Sequence, residues 1–382
     1  MIEQFFSGRY FRVGLLITGR LLLLLSMPIE GLKGYGDLTH YFNLAELPGF
    51  AYIHFWSEYP PFFSFFTELI YLLSGGKEHI FLYLLYMFLI GVDAANLRIF
   101  EKLADQILPG STQNALKWLY FLFLSTLAYG WWYFDPLVVL CLLLGLYLML
   151  ERRPISAGIV LGIGVLLKFF PILAIPAGFR YLSRRQLVSL TAAVIGVVFA
   201  VYLVLFLISP KYTLSSLGSQ GAKGSWETIW ALLDGNYRTG SFGALTDRFQ
   251  PETAFLTKGN PAIVPPILSL VIFGLLGVFS LSRWHGSPVS RLIGITGFTW
   301  VLFFLWSPGW SPQWSLYLIP LILLGLPGKE SVLLAIVFVL VNLLEWPLLL
   351  SRGRFDLLPL TIGIRTLLLF LMGWLFYARN RK

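Results

Sequence analysis

Between Gly34 and Pro61 the chain reads GYGDLTHYFNLAELPGFAYIHFWSEYPP, which sets Asp37, His40, Glu46, His54 and Glu58 in one short stretch. Further along stand Asp135 in WWYFDP, Lys168 in KFFP, and Arg238, Arg248, Arg352 and Arg354. One carboxylate with several cations suits a single displacement at a phosphate-linked carbon. The carboxylate takes the proton of an acceptor hydroxyl as general base, and the cations hold the phosphate while negative charge develops on it. Asp37 is the candidate base. Its setting, Gly-Tyr-Gly-Asp, equally suits a turn or helix-cap aspartate. Asp135, directly before Pro136, reads as an N-cap with proline at the first helical position. His40 and His54 have no third ligand at helical spacing, so neither a metal site nor another cofactor is expected.

Those residues must be held by elements suited to a bilayer. The chain has 382 residues, 57% of them hydrophobic and only 12% charged, and its mean hydropathy is +0.76. Soluble domains carry about 25% charged residues, so a chain this apolar has the bilayer as its solvent. The net charge of +9 sits mostly at helix ends and in short loops, where membrane topology explains it and nucleic-acid binding is not required. A single cysteine, Cys141, excludes an internal disulfide. The first apolar run lacks a small-residue cleavage motif and is expected to be retained as a helix.

The positive-inside rule gives a consistent map. Apolar runs at 13–28, 79–97, 115–131, 136–150, 186–208, 261–281, 292–306, 314–326, 331–350 and 360–377 are expected to span. Residues 155–179 have basic clusters at both ends and are expected to form two short legs, with Lys168 and the helix-breaking Pro171 at their turn. Residues 61–74 give about 21 Å of helix, too short to cross a core of about 30 Å. Their polar members Ser64, Thr67, Glu68 and Tyr71 form one stripe, the pattern of a helix lying in the membrane surface. The expected fold is therefore an all-α polytopic membrane protein with about 11 transmembrane helices, the two short legs included, plus a juxtamembrane helix. It divides into a membrane module at 1–208, a long outer loop at 209–260 and a second membrane module at 261–382. Both termini are expected in the cytoplasm, and the loop 29–60, Asp135, Lys168, the long loop and 307–314 on the opposite face of a plasma membrane. At similar depths, Arg20 is expected to pair with Asp93, and Glu345 with Arg365.

The ordered set of Asp37 with Tyr41, Tyr59-Pro60-Pro61, Lys168-Phe169-Phe170-Pro171 and Ser311-Pro312-Gln313-Trp314 resembles the GT-C superfamily of glycosyltransferases. Within it the chain is similar to glycosyltransferase family 87, the polyprenyl-phosphate-mannose-dependent mannosyltransferases. The resemblance spans most of the chain. It implies an inverting transfer of a hexose, mannose first among them, from a polyprenyl-phosphate-linked donor to a glycolipid, glycan or protein acceptor. It implies Asp37 as the base and Lys168 facing the donor phosphate. The family's Ser-Pro-Gln-Tyr element has Trp314 in place of tyrosine here, which removes any phenol from that position. Candidate phosphate ligands are then Lys168, Arg238, Arg248, Arg352 and Arg354. Candidate sugar and acceptor contacts are His40, Tyr41, His54, Glu58, Tyr59, Asp135, Gln313 and Trp314. The competing reading is a lipid or sugar transporter that forms no bond. A transporter tends to show an inverted repeat and mid-membrane polar groups, whereas no such repeat is visible here and the polar groups gather at one face.

Overall fold

The computed structural model describes residues 10–237, 243–284, 288–326 and 328–381. Among them the chain is helical, with isolated bridges and no strand. The helices used below are α1 (Phe11–Ser26), α2 (Leu38–Ala45), α3 (Pro61–Leu73), α4 (Glu78–Ile107), α5 (Gly110–Thr126), α6 (Asp135–Leu150), α7 (Pro154–Leu167) and α8 (Ile175–Tyr181). They continue with α9 (Arg184–Ile208), α10 (Pro210–Ala222), α11 (Pro266–Ser282), α12 (Pro288–Trp306), α13 (Ser315–Gly325), α14 (Lys329–Leu343) and α15 (Leu358–Arg381).

Among the described residues, five segments are long and apolar enough to cross a membrane: Glu78–Ile107, Arg184–Ile208, Val289–Trp306, Lys329–Arg352 and Phe355–Arg379. Several other expected spans are shorter apolar helices, among them Asp135–Leu150, Pro154–Leu167 and Pro266–Ser282. Proline begins many of them, where its missing N–H costs no helical hydrogen bond. The outward faces of α9 and α11 are apolar, with Ile195, Phe199, Leu207, Ile267, Leu275 and Val278 all exposed. A surface this apolar belongs in hydrocarbon.

Three details differ from the sequence reading or sharpen it. Helix α4 continues past the expected span through residue 107, because Leu97, Phe100, Leu103 and Ala104 keep one face buried, Glu101 is buried against Arg12, and Asp105 and Gln106 are exposed. The polar stripe of α3 faces the protein, not a headgroup layer. Ser64, Thr67 and Glu68 are buried, whereas Leu69, Leu72 and Leu73 are exposed. Glu68 accepts from the Ala51 N–H at 2.7 Å, and the Ser57 and Ser64 hydroxyls meet at 3.0 Å, so the stripe serves to hold the loop before it. Third, α7 and α8 do form two short legs. Backbone at Lys168 is extended (φ −162°, ψ 134°), a short 3-10 turn follows over Phe170–Ala174, and the chain comes back. Arg152, before the first leg, donates to the carbonyl of Tyr181, at the end of the second, at 2.7 Å. Gly164 permits this closeness: a Cβ there would lie 2.8 Å from both Cys141 and Pro171.

Both expected ion pairs form. Arg20 meets Asp93 at 2.7 Å with both side chains buried, and its guanidinium lies 4.6 Å from the Trp131 ring. Arg365 pairs with Glu345, which also accepts from Thr361 at 2.7 Å.

Candidate active site

Asp37 is placed by a tight approach between two loops. Gly34 adopts φ +47°, and a Cβ on it would lie 2.5 Å from the Trp132 indole nitrogen. A Cβ on Gly36 would lie 2.4 Å from the Trp132 carbonyl oxygen. That carbonyl accepts from the Asp37 N–H at 3.2 Å, and the indole donates to Leu32 at 3.2 Å. Only glycines allow the loop to lie flat on Trp132 in this way. Asp37 then stands at the N-cap of α2, yet its carboxylate makes no cap bond.

That carboxylate lines a cavity of 520 Å³ shared with Tyr35, His40, Glu58, Tyr59, Lys223, Glu227, Arg248 and Gln313 among others. The volume is in the about 300–1,000 Å³ range of small-molecule sites. His40 follows Asp37 by about one turn of α2, and its Nε2 lies 2.9 Å from Glu58 Oε1. Arg248 grips the same carboxylate with two bonds, Nε to Oε2 at 3.1 Å and Nη2 to Oε1 at 3.0 Å. Its guanidinium also covers the Trp56 ring at 4.1 Å. Trp56 in turn is stitched to the long loop. Its N–H donates to Arg248 at 3.0 Å, and its indole nitrogen lies 3.1–3.2 Å from Asp247, Gln250 and Thr253 oxygens.

The electrostatics follow from burial and neighbours. Burial raises the Asp37 carboxyl above its ordinary value; His40 and Lys168 offset part of this, while Asp135 adds to it. Burial would raise Glu58 too, but the His40 hydrogen bond and the Arg248 charge prevail and hold it at about 2. Burial lowers the Lys223 ammonium to about 8, against the opposing pull of Glu227, Asp37 and Glu58.

Beneath the cavity, Lys168 at the turn between α7 and α8 donates to Asp135 Oδ1 at 2.7 Å. The Tyr317 hydroxyl donates to the same oxygen at 2.6 Å. The ammonium lies 5.1, 5.4 and 5.6 Å from the rings of Phe134, Phe170 and Trp314. Asp135 is the first residue of α6 and its carboxylate is the counter-charge of Lys168, not a helix cap.

Residues 56–308 match glycosyltransferase family 87. The chain belongs to that family. No curated protein matches it. A family 87 protein is a glycosyltransferase of the GT-C type, and the membrane-length helices agree with that. The match covers Glu58, Tyr59, Asp135, Lys168, Lys223 and Arg248, and begins after Asp37.

Within this family 87 chain, the residues expected at the site fall into distinct groups. Asp37, His40, Glu58, Tyr59, Arg248 and Gln313 meet in the cavity. Tyr41 is buried behind it, edge-on to Tyr59, Phe63 and Phe134 at 5.6, 4.9 and 5.8 Å. Trp314 is buried behind Gln313 against Phe170. His54 is not brought in: it is exposed and its Nδ1 accepts from the Phe50 N–H at 2.9 Å, closing a turn. Arg352 and Arg354 are not brought in either. Arg352 donates to the Leu348 carbonyl at 2.7 Å, and Arg354 is exposed and doubly bonded to Asp356 at 2.9 Å. Both arginines are exposed and neither lines the cavity. Arg238 lies outside the described residues. Lys223, Trp226 and Glu227, which line the cavity, were not singled out by sequence reasoning. Trp226 is carried there by pairing with Gly309, its N–H donating to Pro308 and its carbonyl accepting from Trp310, both at 3.1 Å.

Proposed function

We propose that the protein transfers a hexose, mannose first among the candidates, from a polyprenyl-phosphate-linked donor to an acceptor hydroxyl, with Asp37 as general base and inversion at the anomeric carbon. The single observation that carries this reading is the Asp37 carboxylate. It occupies a capping position without capping and lines a cavity that also holds cations. In the reaction the acceptor oxygen attacks the anomeric carbon from the side opposite the phosphate. Its proton passes to Asp37, the bond from carbon to phosphate oxygen breaks, and polyprenyl phosphate leaves with the electron pair. Burial raises the carboxyl above its ordinary value, which makes its deprotonated form the stronger base, and a positioned base of this kind contributes about 10²–10⁴ in rate. His40, oriented by Glu58, and Gln313 supply polar contacts for sugar and acceptor hydroxyls. By the charge distribution along the chain, the cavity lies on the extracytoplasmic face of the plasma membrane, with both termini in the cytoplasm.

The test is transfer of labelled mannose from polyprenyl-phospho-mannose by purified protein, with lipid extract as acceptor. Wild type is expected to move label into lipid and Asp37→Asn, equally folded, to lose at least about 10²-fold. Equal transfer by both proteins overturns Asp37 as base. Movement of donor across proteoliposomes with no bond formed favours the transport reading instead.

A further inference from the structure

Lys223 belongs to two chambers at once. It lines the polar cavity with Asp37, and it lines a second cavity of 400 Å³ whose wall is mainly carbon. Trp230, Val264, Pro266, Trp306 and Pro308 contribute to that wall. Polar side chains on it are turned to internal partners. The Trp230 indole donates to Leu305 at 3.0 Å, the Trp306 indole to Pro266 at 2.8 Å, and Ser225 to Asp234 at 2.6 Å. The chamber sits at the start of α11, beside Ile263, Ile267 and Leu270, which are exposed on the apolar exterior. The backbone carrying Lys223 is fixed from both sides. Gly224 donates to Lys258 at 3.1 Å, so closely that a Cβ on it would lie 2.2 Å from the Lys258 oxygen, and Trp226 is paired to Gly309. The ammonium rests 3.9 Å from the Trp226 ring.

Resting on the transferase reading above, we infer that Lys223 holds the phosphate of the donor at the junction of the two chambers, with the hexose in the polar cavity and the first isoprene units of the carrier in the apolar one. An amphiphilic donor is a polar head, an anion and a hydrocarbon tail in that order. The protein presents a polar chamber, a cation and an apolar chamber in the same order. Of the cations near Asp37, Lys223 lines both chambers, Arg248 lines the polar one and is bonded doubly to Glu58, and Lys168 lines neither and is bonded to Asp135. Glu227, Asp37 and Glu58 act on Lys223 as opposing charges and Lys168 as a like one. With its ammonium at about 8, Lys223 is charged below that pH and neutral above it. A phosphodiester keeps its single negative charge throughout. Donor binding therefore weakens as pH rises through about 8.

The experiment compares wild type, Lys223→Met, Lys223→Arg and Val264→Trp with mannosyl donors on a C55 and on a C10 prenyl phosphate. Lys223→Met is expected to raise donor KM at least tenfold with either chain, and to lose retention of C55 prenyl phosphate more than that of the C55 alcohol. Val264→Trp, which fills the apolar chamber, is expected to lower the ratio of kcat/KM for C55 over C10 donor at least tenfold. In wild type donor KM rises above about pH 8, and in Lys223→Arg that limb is absent. An unchanged donor KM in folded Lys223→Met, an unchanged chain-length ratio in Val264→Trp, or the same alkaline limb in Lys223→Arg overturns the inference. Should Lys223→Met not fold, as judged by melting in detergent, the arginine comparison decides. A wild type inactive with both prenyl donors refutes the transferase reading itself, a result separate from any of these.

Discussion

Removing Arg248 tests how the first loop is tied to the long loop. The Arg248 and Glu58 side chains are 1% and 2% exposed, joined by two bonds, and they connect the first loop to a segment 190 residues away. Arg248→Met leaves a buried carboxylate with only His40 to face it. Breaking a buried pair from one side costs about 3–5 kcal/mol. If that cost falls on the seam between Trp56 and residues 244–256, it raises the open population by a factor of about 10² to about 4 × 10³, at about 1.4 kcal/mol per factor of ten. Hydrogen exchange in detergent reads this directly at the Trp56 amide, which donates to Arg248. Adding Glu58→Gln removes the stranded charge, so the double variant is expected to fall short of the summed single losses by more than about 1 kcal/mol. The pair also sets an acid limit. Its contribution is complete above the ordinary glutamate value of 4.5 and is lost as pH falls toward the folded value of about 2. Unchanged exchange in Arg248→Met, or additivity within about 0.5 kcal/mol, refutes the reasoning.

Other outcomes follow from the same geometry. Arg20→Ala strands Asp93 and is expected to cost about 3–5 kcal/mol in thermal or denaturant stability with turnover per folded molecule retained; a stable variant with low turnover would mean that the pair is not structural. Gly36→Ala drives a methyl against the Trp132 backbone and displaces Asp37, with an expected fall in kcat of about 10² at near-native folding; full activity would show that the loop need not lie on Trp132. The acid limb of kcat/KM is expected above 3.8, the ordinary aspartate value, because the proposed base Asp37 works deprotonated and its burial raises it. A midpoint at or below 3.8 excludes Asp37 as the titrating base.

Much of the fold was legible because apolar runs, prolines and basic ends are local signals. The turn at Lys168 and the two buried ion pairs came from depth and charge alone. The inward turn of the α3 stripe did not, since periodicity finds a polar face without saying whether water or protein meets it. In the site, Asp37, His40, Glu58 and Tyr59 are close in sequence and could be grouped. Lys223, Trp226 and Glu227 sit in a polar loop with no periodicity, and their positions depend on pairing with Lys258 and Gly309, which only the folded chain reveals. Asp135 misled for the opposite reason. Its local setting before proline is a good cap, and a lysine 33 residues on overrode it. For Arg354 the nearby Asp356 was the overlooked signal.

The three-way contact of Asp135, Lys168 and Tyr317 also bears on how the chain is made. Asp135 and Lys168 emerge early, on adjoining helical segments, and can pair as the hairpin enters the bilayer. Tyr317, 182 residues beyond Asp135, does not yet exist. At about 5–20 residues per second the ribosome needs on the order of ten seconds to supply it. During that interval Asp135 is the one partner in this contact already made for Lys168. The contact is completed only after residue 317 has been made and has packed, so these few atoms tie a late segment of the chain to an early one.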